Sequence, residues 1–244
     1  MKKFHIVFLI LFFTIVNSGV LQAQKTISFF SKDGILITAD LYLVNDTLPY
    51  MILCHQAGSS RGEYLETAFK LAKFGYNCIA IDMRSGGEIN GIKNETAINA
   101  KAKGRSTNYV DAAQDITAAI DYAADLSKKK VVLVGSSYSA SLVMKIAVAN
   151  NDVKAVIAFS PGEYFGDTYN LKDSIKTLTK PLFVTSAKAE SEKVGELIKD
   201  VASKKKQEFT PSKPGAHGSK ALWKETPNYQ EYWLALMMFM LSIK

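Results

Sequence analysis

Several things are scarce in these 244 residues, and each scarcity removes a class of protein. There are only two cysteines, Cys54 and Cys78. So sparse a set does not build a disulfide scaffold, and neither cysteine has the spacing of a metal ligand. Six prolines and 15 glycines are too few for a Pro/Gly-rich disordered chain, and 48% hydrophobic residues suit a chain with a packed core. No period of 20–50 residues repeats, which excludes solenoids and propellers. No apolar run reaches the roughly 20 residues of a spanning helix. The longest, Ile6–Val16, follows Lys2 and Lys3 and precedes small and polar residues ending in Leu21-Gln22-Ala23. This is the pattern of a secretory signal peptide over residues 1–23, cut before Gln24. It predicts a secreted or periplasmic protein without stable membrane insertion after cleavage. Residues 24–244 then form one domain.

The formal net charge is +7; residues 1–23 hold Lys2, Lys3 and no acid, which leaves +5 on the rest. The basic runs Lys128–Lys130 and Lys204–Lys206 directly precede expected strands, where solvated loops lie, and no basic face with motif or aromatic support accompanies them. A nucleic-acid partner is therefore not expected.

Along the chain, Thr26–Ser31 and Ile35–Val44 are β-rich and flank Lys32-Asp33-Gly34, a hairpin signal. Beyond them strands alternate with helices. The expected strands are Tyr50–Cys54, Asn77–Asp82, Val131–Val134, Val153–Phe159, Pro181–Thr185 and Gln207–Thr210. The expected helices are Tyr64–Phe74, Tyr109–Leu126, Ser139–Ala149, Glu192–Ala202 and Asn228–Leu241. This alternation predicts an α/β fold with a mostly parallel sheet, helices on both faces and an antiparallel hairpin at one edge. Cys54 and Cys78 fall near opposite ends of their strands, too far apart for a bridge, and are expected as buried free thiols.

Chemistry in such sheets gathers beyond the carboxyl ends of the strands, and three clusters lie there. Val131–Val134 runs into Gly135-Ser136-Ser137-Tyr138-Ser139, which resembles the G-x-S-x-G nucleophile elbow with Ser137 at its centre. Ser139 replaces the usual second glycine. Met51–Cys54 runs into His55-Gln56-Ala57-Gly58, similar to an H-G-x-G oxyanion loop with Gln56 in a glycine place. His55 is expected to shape this loop rather than act as a base. After the last strand, Lys213-Pro214-Gly215-Ala216-His217-Gly218 presents the only histidine downstream of Ser137. Glu190 follows the strand Pro181–Thr185, with Glu192 and Glu163 as competing acids. Asp82-Met83-Arg84-Ser85-Gly86-Gly87 looks like a D-x-R-G-x-G segment whose Asp82 and Arg84 brace loops.

In the order Ser137, Glu190, His217, residues 26–244 resemble the α/β-hydrolase superfamily, in its dienelactone-hydrolase-like and small serine esterase branch. Dienelactone hydrolases proper carry a Cys nucleophile, which this chain lacks. The resemblance implies no large lid domain and no metal or organic cofactor. It implies a Ser137–His217–Glu190 triad, an oxyanion hole from the Ala57 and Tyr138 amides, and cleavage of a small-molecule or exposed ester through an acyl-enzyme. Tyr164, Phe165 and Tyr169 are candidates to line an acyl or alcohol pocket. A serine peptidase or amidase, or a non-catalytic binding homologue, would share these features. Asn45-Asp46-Thr47 and Asn94-Glu95-Thr96 match a glycosylation sequon.

Overall fold

A computed structural model describes residues 23–244 of the chain; the expected signal segment, its last residue apart, lies outside them. Ten strands and seven α-helices follow in order: β1 Ala23–Phe30, β2 Leu36–Leu43, β3 Tyr50–Cys54, α1 Ala68–Ala72, β4 Asn77–Ile81, β5 Glu88–Ile89, β6 Ile92–Lys93, α2 Glu95–Ala102, α3 Ala113–Ser127, β7 Val131–Ser136, α4 Tyr138–Ala149, β8 Val153–Phe159, α5 Leu171–Ser174, β9 Leu182–Thr185, α6 Ser191–Ile198, β10 Lys206–Phe209 and α7 Tyr229–Ser242. Eight strands form one sheet in the order β1-β2-β4-β3-β7-β8-β9-β10, and β5–β6 is a separate two-stranded ribbon. Strands β4, β3, β7, β8, β9 and β10 run parallel, while β2 joins β4 antiparallel and β1 joins β2 as a hairpin.

The central strands explain why their sequences are continuously apolar. In β3, Tyr50, Ile52 and Cys54 enter the core on one face of the sheet, and Met51 and Leu53 the core on the other. Val131 and Leu133 divide from Val132 and Val134 in the same way in β7. A strand covered on both faces has no polar side to show. Helices α3, α4 and α6 cover the first face, and α1 and α7 the second. Cutting Leu133, which is wholly buried, to Ala is expected to cost about 2–5 kcal/mol.

Cys54 and Cys78 are both free and buried. In the β3–β4 register Cys78 lies opposite Met51 and Cys54 opposite Ile81, three positions apart along the strands. Three expected helices differ from the observed ones by more than one residue at an end. The segment from Tyr64 divides into a short 3₁₀ turn, Arg61–Tyr64, and the five-residue α1. Tyr109–Ala112 is a 3₁₀ turn leading into α3. The segment Glu192–Ala202 starts one residue earlier, at Ser191, and α6 stops at Ile198. The ribbon β5–β6 and helix α2 carry too few apolar residues for their period to be read, and they enter with the structure. Asn94 of the second sequon is buried and caps α2, its side chain accepting from the Ala97 amide at 2.7 Å. That position does not present an acceptor to a glycosyltransferase. Among the described residues no helix is long and apolar enough to cross a membrane.

Candidate active site

Ser137 stands between β7 and α4 with φ 59° and ψ −124°. Positive φ is uncommon outside glycine and costs about 1–3 kcal/mol, so the surroundings must impose it. They do so through close approach. A Cβ on Gly135 would come within 2.5 Å of the Ala140 Cα and 2.6 Å of the Ser139 carbonyl oxygen. Strand and helix therefore meet only over a glycine. The Ser137 amide donates to the Phe159 carbonyl at 2.8 Å, which ties the turn to β8. Ser139, the departure from the usual glycine, is buried, and its hydroxyl contacts the Ser136 amide at 2.8 Å and the Cys54 carbonyl at 2.9 Å. The substitution thus adds a tie between the elbow and β3.

His217 and Glu190 come together from two loops. The Nδ1 of His217 lies 2.5 Å from Glu190 Oε1. A carboxylate can only accept, so Nδ1 carries the proton and Nε2 is left with its lone pair. The other carboxylate oxygen of Glu190 accepts from the Ser160 hydroxyl at 2.6 Å and the Ala187 amide at 3.2 Å. Burial pushes the Glu190 carboxyl up, but the hydrogen bonds from His217 and Ser160 hold it below its ordinary value. The competing acids are elsewhere. Glu163 accepts the Leu171 and Lys172 amides at 2.7 and 2.9 Å at the start of α5, and Glu192 is exposed in the first turn of α6.

No hydrogen bond joins Ser137 to His217 among the described residues. Their loops are joined one residue away. The Ser136 hydroxyl accepts from the Ser219 amide at 2.9 Å, and the Ser160 hydroxyl from the Gly218 amide at 3.0 Å. Gly218 has φ 68°, and a Cβ there would strike Ser136 Oγ at 2.5 Å and Gln56 Oε1 at 2.8 Å. Glycine is the residue that lets the histidine loop sit against the elbow. Hydrogen bonds between such groups commonly close only around a bound substrate.

Ala57 lies in the loop after β3 and Tyr138 at the first position of α4. Among the described residues neither backbone amide donates to a protein acceptor. The Tyr138 amide is also one of the unpaired donors at a helix start, where the dipole favours negative charge. The loop carrying Ala57 is held by Glu63, a fully buried carboxylate that sequence reading passed over. Glu63 accepts from the Gln56 amide at 2.9 Å and from the Ser219 hydroxyl at 2.5 Å, so it links this loop to the one bearing His217. His55 is wholly buried; its Nδ1 contacts the Gln56 carbonyl at 2.8 Å and its Nε2 accepts from the Met83 amide at 2.9 Å. Both ring nitrogens are occupied in shaping the loop.

Beside this cluster a cleft of about 470 Å³ is lined by Ser160, Pro161, Gly162, Tyr164, Val194 and Leu197. Tyr164 donates to the Ser160 carbonyl at 3.0 Å. Phe165 is buried instead, stacked on Tyr169 at 4.6 Å between centroids. Of the three aromatic candidates, Tyr164 is the one that lines this cleft.

A mostly parallel eight-stranded sheet with an elbow at the end of β7 and the Glu190–His217 pair beyond β9 and β10 has the architecture of an α/β-hydrolase. The hydrolase family described as serine aminopeptidase, S33 matches residues 47–211, and the chain belongs to that family. Among solved structures, the esterase Pf2001 of Pyrococcus furiosus is 17% identical, with a TM-score of 0.67 over 89% of this chain and 92% of that one. A dienelactone hydrolase from Anabaena variabilis is 14% identical, with a TM-score of 0.69 over 91% and 98%. Est1E from Butyrivibrio proteoclasticus is 17% identical, with a TM-score of 0.66 over 88% and 98%. At these identities the likeness is one of fold. No curated protein matches the chain.

Proposed function

We propose that this α/β-hydrolase is a secreted or periplasmic serine hydrolase that cleaves a carboxylic ester of a small or exposed substrate. The observation that carries this reading is the 2.5 Å contact between His217 and Glu190, one loop from a serine held at positive φ on the elbow. In this mechanism His217 Nε2 takes the Ser137 proton as Oγ attacks the carbonyl carbon. The oxyanion is received by the free amides of Ala57 and Tyr138. Glu190 stabilises the imidazolium without taking its proton. His217 then returns the proton to the departing alkoxide, which leaves as the alcohol. Water, deprotonated by the same nitrogen, attacks the acyl-enzyme, and the imidazolium returns that proton to the departing Ser137 Oγ as the acid is released. No step in this sequence calls on a metal or organic cofactor. The apolar walls of the cleft suit a short acyl or alcohol group.

An aminopeptidase, suggested by the family description, needs an anionic group to receive the substrate ammonium. Two of the three carboxylates lining the cleft have other duties. Glu190 holds His217 and Glu163 caps α5, whereas Glu196 is exposed and lies 3.8 Å from Lys199. Ester cleavage is therefore favoured. The test is a panel of p-nitrophenyl esters of increasing chain length, with aminoacyl p-nitroanilides beside it and Ser137→Ala as control. Turnover of short esters that vanishes in Ser137→Ala, with loss of fluorophosphonate labelling, is expected. Unchanged turnover in Ser137→Ala would remove Ser137 from the mechanism.

A further inference from the structure

Ser160 follows β8 and lies outside the three residues assigned above, yet its groups reach most of the site. It is 1% exposed and has φ 53°. As at Ser137, a non-glycine residue in the left-handed region is maintained against a local cost. No glycine has taken this place, although glycine would adopt the backbone freely. What glycine would lack is the hydroxyl. That hydroxyl donates to Glu190 Oε2 at 2.6 Å and accepts from the Gly218 amide at 3.0 Å. One oxygen thus joins the acid to the backbone immediately after His217. The remaining polar groups of Ser160 are also engaged. Its amide donates to the Thr185 carbonyl at 2.7 Å, and its carbonyl accepts from the Tyr164 hydroxyl at 3.0 Å.

We infer that Ser160 is a positioning residue, whose hydroxyl fixes Glu190 and the His217 loop to one another so that Nδ1 stays bonded to the carboxylate while Nε2 faces Ser137. The inference rests on the triad reading given above and adds a fourth side chain to it. The alternative attachment is weaker. The Ala187 amide reaches the same carboxylate oxygen only at 3.2 Å and makes no contact with the histidine loop. Ser136 shows the difference from the other side. It anchors the Ser219 amide but does not touch Glu190, so it holds one loop where Ser160 holds two.

Ser160→Gly and Ser160→Ala separate the hydroxyl from the backbone. Both remove the oxygen, but glycine relieves the φ of 53° and alanine keeps it. Two quantities are read in the full chain: the second-order rate of labelling by a fluorophosphonate, and the Nδ1 proton resonance of His217. That resonance is assignable because the chain holds only three histidines. Both variants are expected to label about 10- to 100-fold more slowly, the effect of losing a hydrogen bond to a charged group. In Ser160→Gly this should occur at an unchanged or higher Tm, with the Nδ1 resonance shifted or broadened. Wild-type labelling and an unshifted resonance in Ser160→Gly, beside a strong loss in Glu190→Gln, would overturn the role of Ser160 and leave the triad standing. Full labelling in Glu190→Gln as well would sink the triad reading and, with it, this one.

Discussion

Arg61 and Arg84 on one side of the sheet's carboxyl end, and His217 on the other, all meet carboxylates, but under opposite conditions. Arg84 is 2% exposed and is bonded to Asp33 at 2.7 and 3.0 Å and to Asp115 at 2.7 and 3.1 Å. Arg61 meets Asp82 at 2.5 Å and Glu95 at 3.1 Å. These charges come from the hairpin turn, the 3₁₀ turn Arg61–Tyr64, the segment after β4 and helices α2 and α3, and they bind those parts together. His217 has a side chain 43% exposed, one partner and a free ring nitrogen. A buried ion needs its countercharge, and removing that partner is strongly destabilising. A general base has to leave one position open for the proton it will take. The two regions therefore answer differently to the loss of one member.

The largest expected effect is on the open side. His217→Ala should reduce ester turnover by about 10⁴-fold or more with Tm essentially unchanged, read by steady-state kinetics and thermal melts on the same sample. Glu190→Gln should follow at about 10²- to 10⁴-fold, because an amide can present its NH₂ to Nδ1 and select the wrong tautomer. On the closed side, Arg84→Met leaves Asp115 buried without its cation. It should destabilise the fold by about 3–5 kcal/mol in urea titration, while residual folded enzyme keeps its specific activity. If Arg84→Met instead abolished turnover at full stability, the division into structural and chemical charge would fail.

The smallest effect is on acid stability. The Arg84 hydrogen bonds hold the Asp33 carboxyl far below the ordinary range, whereas burial outweighs the same arginine at Asp115 and pushes that carboxyl up. A depressed carboxyl contributes stability that is fully present above the pH at which an unfolded aspartate titrates, about 3.9, and that is lost as the pH falls through its folded value. The urea midpoints of wild type and Asp33→Asn should therefore differ most above about pH 4 and converge in stronger acid.

Much of this arrangement was legible in the residues. Strands β3 and β8 begin and end where their apolar runs do, since burial on both faces leaves no ambiguity of pattern. The elbow and the loop of His217 were visible because each is marked by glycines that the geometry requires. The acid was not. Glu163, Glu190 and Glu192 are chemically alike, and it is the 3₁₀ turn Lys188–Glu190 that turns Glu190 to His217. Ser160 and Glu63 were missed for a related reason. Each acts through a partner distant in sequence, and a positive φ at a serine leaves no trace in composition. The D-x-R segment marks Asp82 and Arg84 as loop braces, but their partners Arg61, Asp33 and Asp115 are distant in sequence and only the fold brings them together.

The buried thiols of Cys54 and Cys78 have a consequence for how this protein can be made. Burial drives both well above the ordinary thiol range, so the nucleophilic thiolate is scarce and shielded. Folding then needs no oxidant and no disulfide isomerase. Protein produced in a reducing cytoplasm or exported to an oxidising compartment should melt at the same temperature, with or without dithiothreitol.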